Sequence, residues 1–219
     1  MFLAIDGLLE AATIGALRDE AAELVFEDGA KTAGLFAREV KANDQAAPSD
    51  ARDAVLGMVS RALQDNPLFA AATRPRAMTP LILSRYRAGQ TYDLHVDDAL
   101  MGGLRTDISF TVFLSDPATY DGGALILEDS LEARAVKLAA GSVFLYPSTT
   151  LHRVEPVTRG ERLAVVGWVQ SRVRQADQRE ILFDLDRSIA ELHASAGKSA
   201  LFDSLCKTRS NLLRMWSEG

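Results

Sequence analysis

The sequence predicts a mainly β protein with flanking helices, an α+β chain whose centre is a sandwich or barrel. Three observations predict it. Between residues 75 and 171 turn signals recur about every ten residues, with short strand-like runs between them. The first 70 residues carry an approximate helical stripe, and the residues after 171 return to a helical pattern. The expected divisions are 1–74, an N-terminal helical support region; 75–171, the β core; and 172–219, a C-terminal helical extension.

In the first division Leu8, Leu9, Ala12, Ile14, Leu17, Ala21, Leu24 and Val25 form the stripe. A polar stretch, Phe36 to Ser49, follows. Ser49 or Asp50 then suits the N-cap of a second helix running through Gln64, with Pro67 ending it. In the β core the turns fall at 87–90, Gly102-Gly103, Ser115–Pro117, Asp121–Gly123, Ala140-Gly141 and Thr158–Gly160. One strand alternates plainly. Ile108, Phe110, Val112 and Leu114 share an apolar face, while Asp107, Ser109, Thr111 and Phe113 share a mostly small, polar face suited to a wet cavity. The run RLAVVGWVQ, 162–170, is apolar on both faces and is expected as a central, doubly covered strand. Two helices, parted at Gly197, are expected to pack outside the barrel, where they either cap it or support a homo-oligomer.

Composition narrows the function classes. The 219 residues, 47% apolar and 25% charged, suit one globular unit with a proper core. Cys206 is the one cysteine, so no internal disulfide forms, and a reducing, cytoplasmic setting is expected. In its helical-looking stretch a small packing role suits Cys206 better than nucleophilic chemistry. The apolar N-terminus lacks a basic start and is interrupted by Asp6 and Glu10, unlike a secretory signal. No run of 18 apolar residues predicts a membrane span, and a net charge of −6 favours no nucleic-acid partner.

The chemistry gathers on two of the three histidines. His95 and Asp97 stand two apart, and on a strand residues i and i+2 point the same way. His152 ends another strand-like segment. Two imidazoles and one carboxylate, with coordination positions left open, are the ligand set of non-haem Fe(II) oxygenases. Ten residues after His152 comes Arg162. The turn between them predicts that the strand starting at Arg162 runs back beside the one carrying His152. Arg162, Ala164, Val166 and Trp168 then share a face; the arginine can grip a carboxylate bidentately, Ala164 leaves space and Trp168 forms a wall.

The pattern Tyr86-Arg-Ala-Gly-Gln-Thr-Tyr92-Asp-Leu-His95-Val-Asp97, then Asp121-Gly122-Gly123, Tyr146-Pro147, Leu151-His152-Arg153-Val154 and Arg159-Gly160-Glu161-Arg162 resembles the prolyl 4-hydroxylase superfamily of 2-oxoglutarate oxygenases. More narrowly it is similar to the bacterial PKHD-type hydroxylases, as are Phe183–Asp186 and Asn211–Arg214. The resemblance spans nearly the whole chain and is most specific over 80–171. It implies a double-stranded β-helix, or jelly roll. It also implies iron on His95, Asp97 and His152, the distal carboxylate of 2-oxoglutarate on Arg162, and Tyr86 beside that cosubstrate. Oxidative decarboxylation with dioxygen would yield succinate, carbon dioxide and a hydroxylated substrate, with L-ascorbate as an optional reductant. A peptidyl proline and a small molecule of iron uptake are the two substrate classes it suggests. Asp98 and Ala124 depart from residues common in the family without touching the triad. Retention of Asp97 argues against a halogenase, which needs the carboxylate gone.

Other readings stand beside this one. A non-catalytic iron-binding jelly roll, a sensor or interaction protein, would keep the triad. A different metal, such as zinc or manganese, with hydrolytic or isomerase chemistry would use the same ligand types but give Arg162 no task. Tyr86 and Tyr92 could simply pack, as strand tyrosines do. Arg153 should point away from the metal, in a structural or substrate-facing role, and His193 lies in a helix-like segment as a non-ligand. Asp98 has the wrong strand parity for the ligand set; Asp93 has the right parity but would crowd the metal. Arg85, Arg87, Arg105, Arg153 and Arg159 are a local basic excess, either ordinary solvated charge or a field that favours an anionic substrate or steers 2-oxoglutarate.

Overall fold

The structure is a computed structural model and describes residues 1–32, 34, 36–128 and 132–218. The N-terminal part runs β1 (Leu3–Ile5), α1 (Ala11–Ala22), β2 (Phe26–Asp28), β3 (Lys41–Ala42), β4 (Asp44–Ala46), α2 (Asp50–Asp65) and α3 (Pro67–Thr73). The β core continues as β5 (Pro75–Met78), β6 (Ile82–Arg87), β7 (Thr91–His95), β8 (Leu100–Met101), β9 (Leu104–Arg105) and β10 (Ile108–Phe113). After it come β11 (Asp121–Gly122), β12 (Leu125–Glu128), β13 (Ala133–Val136), β14 (Val143–Pro147), β15 (His152–Val154), β16 (Val157–Arg159) and β17 (Glu161–Ser171). Helices α4 (Ala176–Ala196) and α5 (Ala200–Trp216) come last.

The strands form a jelly roll. A major sheet has the order β1-β14-β10-β17-β6-β4-β2, with β5 also on β17; a minor sheet has the order β13-β12-β15-β7-β3. The pairings within both are antiparallel. β17 sits between β10 and β6, the central position its two apolar faces predict. The apolar face of β10 meets the helices: Phe110 and Val112 pack in one core with Leu17 of α1, Val55, Val59 and Leu63 of α2, Phe69 of α3 and Phe183 of α4. The Ser109 and Thr111 face turns inward, between the sheets.

Local signals set the helix ends. The Ser49 hydroxyl accepts from the Arg52 N–H at 3.1 Å, the N-cap bond of α2. Asn66 ends α2 and caps α3, its Oδ1 accepting from the Phe69 N–H at 2.9 Å. Pro67 therefore opens a helix as well as closing one, at the first position, where its missing N–H costs nothing. Gly197, at φ 65°, separates α4 from α5, and α5 buries no residue fully.

Two expectations need correction. The 1–74 division is not only helical: it supplies β1, β2, β3 and β4, which edge both sheets. Two- and three-residue strands carry too few positions to show a period, and the polar 36–49 stretch hides two of them. Nor does β17 run beside β15. β15 lies in the minor sheet and β17 in the major one, because the chain crosses between sheets at Pro156 and first forms β16, which pairs with β11. His152 and Arg162 thus reach the same interior from opposite sheets.

Candidate metal centre and its cavity

Between the sheets lies a cavity of about 340 Å³, within the roughly 300–1,000 Å³ usual for small-molecule sites. Its lining includes His95, Asp97, His152, Arg162, Tyr86 and Trp168.

His95 and His152 face each other across the β7–β15 ladder, with ring centroids 4.2 Å apart. Each imidazole holds the carbonyl two residues upstream: His95 Nδ1 lies 2.8 Å from the Asp93 oxygen, and His152 Nδ1 lies 2.9 Å from the Thr150 oxygen. A carbonyl only accepts, so both Nδ1 atoms carry the proton and both Nε2 lone pairs are left for a metal. Burial, then the neighbouring His152, pulls the His95 pKa down to about 4, so its ring is neutral at neutral pH, as a ligand must be.

Asp97 completes the group. β7 ends at His95, so Asp97 stands just beyond the strand, yet ligand atoms of the three residues lie within 4.8 Å of one another. Ser109 donates to Asp97 Oδ2 at 2.5 Å. Its single proton is then used, so the Ser109–Ser148 contact of 2.8 Å is a bond donated by Ser148. Oδ1 faces His152 Nε2 at 3.8 Å, too long for a hydrogen bond and suited to two ligands of one cation. Two imidazoles and one carboxylate, each oriented by a neighbour and with ligand atoms turned inward, fit a metal with open positions. Asp93, placed by parity beside His95, is exposed and caps the Leu94 N–H. A register irregularity between the His152↔His95 and Val154↔Tyr92 pairs breaks the alternation there. The same irregularity puts Tyr92 and His95 on one side, stacked at 3.6 Å between centroids.

Across the cavity, Arg162 is 2% exposed and has no carboxylate within ion-pair distance among the described residues. Among the described residues its Nε has no hydrogen-bond partner, and neither has the buried hydroxyl of Tyr120. Tyr86, opposite Arg162 on β6, places its ring 5.2 Å from the guanidinium carbon, and burial pushes its pKa up to about 12. Val166 and Trp168 line the cavity on the same strand, whereas Ala164 is buried without reaching its wall. Arg153 leaves the site and pairs with Glu128 at 2.5 Å. His193 lies between α4 and α5 against Phe202.

Sequence reasoning missed Lys41, Asn43 and Tyr92 as lining residues. Only Tyr92 had a signal, its place within the motif; the other two come from the polar stretch.

Residues 81–170 match the 2OG-Fe(II) oxygenase superfamily, and residues 177–218 match the PKHD-type hydroxylase C-terminal domain. A PKHD-type hydroxylase of Maricaulis maris is 50% identical over 92% of each chain. The fold is similar to that of a Pseudomonas putida prolyl-4-hydroxylase, with TM-score 0.55 and 20% identity over 78% of this chain and 92% of that one. It is also similar to HygX from Streptomyces hygroscopicus, solved with nickel and 2-oxoglutarate bound, with TM-score 0.56 and 16% identity over 78% and 82% of the two chains.

Proposed function

The chain belongs to the PKHD-type hydroxylases of the 2OG-Fe(II) oxygenase superfamily, and from that premise we propose that His95, Asp97 and His152 hold its iron while Arg162, with Tyr86, holds its 2-oxoglutarate. As a family member it is an oxidoreductase of the dioxygenase class. The observation that carries the residue assignment is the buried guanidinium of Arg162. A full charge at 2% exposure with no acid partner among the described residues needs an anion from outside the chain.

Iron and 2-oxoglutarate, when bound, supply the oxidising power: substrate, dioxygen and 2-oxoglutarate give hydroxylated substrate, succinate and carbon dioxide. The chain's own residues position and exclude. The Asp93 and Thr150 carbonyls fix the two rings, and Ser109 fixes Asp97. Arg162 orients the cosubstrate by its far carboxylate, and Leu125, Val154 and Val166 keep water from the reacting centre. L-ascorbate would serve only to re-reduce the metal. The substrate is a peptidyl proline, by the name of the Pseudomonas putida neighbour, or a small iron-uptake-related molecule, by family resemblance. Its setting is the cytoplasm, consistent with a single cysteine; among the described residues no helix is long and apolar enough to cross a membrane.

Anaerobic addition of 2-oxoglutarate to the Fe(II)-loaded protein is expected to raise a visible charge-transfer band, and His152→Ala to abolish it. A wild-type protein that binds iron and gives no band would be a non-catalytic iron binder instead.

A further inference from the structure

Each arginine of the basic excess around the core has an acid partner. Arg85 pairs with Asp44 at 3.1 Å, Arg87 with Glu161 at 3.3 Å and Arg105 with Asp107 at 2.7 Å. Arg153 pairs with Glu128 at 2.5 Å and Arg159 with Asp121 at 2.7 Å. Two cations line the cavity, Arg162 and Lys41, and neither has a carboxylate within ion-pair distance among the described residues. Arg162 is accounted for by the cosubstrate. Lys41 is not.

Lys41 stands on a strap that crosses from the minor sheet to the major one. β3 pairs with β7, β4 pairs with β6, and Asn43 is the residue between them. Lys41, Asn43 and Gln45 all line the cavity, as positions i, i+2 and i+4 of an extended segment should. The Lys41 ammonium donates to the Thr32 hydroxyl at 3.2 Å and lies 5.0 Å from the centre of the Tyr92 ring, the ring stacked on His95. Asn43 is 2% exposed, and both its Oδ1 and its Nδ2 are buried without a hydrogen-bond partner among the described residues. Gln45 is already engaged, its Oε1 accepting from Thr32 at 2.7 Å. Asp98, the other acid of the lining besides Asp97, is exposed and lies against Gly34 rather than within ion-pair distance of Lys41.

Charge counting gives the reason to expect an anion. A dication and Arg162 bring three positive charges; Asp97 and the two carboxylates of 2-oxoglutarate bring three negative ones. The loaded centre is therefore neutral, and Lys41 remains a cation, with the Asn43 amide two residues along the same strap and lining the same cavity. Resting on the function proposed above, we infer that Lys41 and Asn43 form a second oxyanion site in the cavity, one that takes a carboxylate carried by the substrate. Burial pulls the Lys41 pKa down to about 8, a loss of solvation that an incoming carboxylate restores. Half-exposed Val96 and exposed Leu100 border the same cavity, so the rest of the substrate meets apolar surface. The class is an acid with an apolar body, bound with its carboxylate towards the strap.

The experiment uses anaerobic, Fe(II)- and 2-oxoglutarate-loaded protein, titrated calorimetrically with N-acetylated leucine, proline and phenylalanine and with the carboxamide twin of each. The acids are expected to bind at least about tenfold tighter than their amides, the scale of one charge-assisted hydrogen bond. In Lys41→Met that ratio should fall to about one while the 2-oxoglutarate midpoint of the charge-transfer band stays where it was. Lys41→Arg should keep most of the preference, which separates charge from misfolding. Acids that bind no better than amides, whether both bind or neither does, overturn the inference. So does a Lys41→Met protein that keeps the preference, or one whose 2-oxoglutarate midpoint moves. A wild-type protein with no band at all defeats the enzyme reading first, and this inference falls with it.

Discussion

Arg162 is held by more than its own strand. Gly123 passes against its stem: a Cβ at position 123 would lie 3.1 Å from Arg162 Cδ and 2.9 Å from the Val157 side chain, at a backbone φ of +63°. Gly123→Ala should therefore cost about 1–2 kcal/mol through the left-handed backbone alone, and should also weaken 2-oxoglutarate binding by displacing the guanidinium. Arg162→Met removes the charge outright and is expected to raise the 2-oxoglutarate dissociation constant by roughly 100-fold or more, with Arg162→Lys between it and wild type because the planar fork is lost. Titration of the charge-transfer band measures all three, and equal midpoints in Arg162→Met and wild type would remove Arg162 from the site. At this scale the sequence was most legible where chemistry is scarce. With three histidines in the chain, the spacing of His95, Asp97 and His152 left few ways to assemble a metal site, and their side chains do converge. Lys41 and Asn43 gave no such signal, since polar residues in a polar stretch look alike until the fold shows which of them are indoors.

At the scale of elements, the strands that obeyed strict alternation were readable and those that broke it were not. β10 presents the two faces its sequence promises, whereas the irregularity in β7 turns Asp93 outward and brings Tyr92 to His95. The crossing at Pro156 is likewise invisible to a local reading: a proline and a glycine announce a turn, not which sheet the next strand will join. The helices are tied by one acid. Asp186 of α4 accepts from Arg74, at the C-cap of α3, and from Arg209 of α5, so three helices meet on a single carboxylate. Asp186→Ala leaves Arg74 largely buried without its partner. The expected cost is about 2–3 kcal/mol, or a melting temperature lower by roughly 4–12 °C. Because the knot lies on the helical side, the 2-oxoglutarate midpoint should not move. A shift in that midpoint would mean that the helices transmit strain to the cavity.

For the molecule as a whole, the question is which terminal segment the jelly roll cannot lose. The N-terminal strands supply the edges: β1 covers β14, β4 and β2 cover β6, and β3 covers β7, so one segment closes both sheets and walls the cavity. Without it three strand edges would be bare, and Leu17 and Ala21 of α1 would leave the core. At the other end α5 buries no residue fully and meets the rest mainly through α4. Similar labels read from sequence, a helical region before the core and another after it, thus conceal unequal roles. Deleting residues 1–48 is expected to give an insoluble or unfolded chain with no charge-transfer band. Deleting residues 199–219 should leave a folded protein that still binds iron and 2-oxoglutarate, melting lower because the apolar side of α4 is uncovered and Asp186 loses Arg209. Circular dichroism melts and the 2-oxoglutarate titration decide between them. If instead the shorter C-terminal deletion abolished folding, α5 would have to contribute through contacts outside a single chain, and its exposed Leu201 and Met215 would be the first place to look for them.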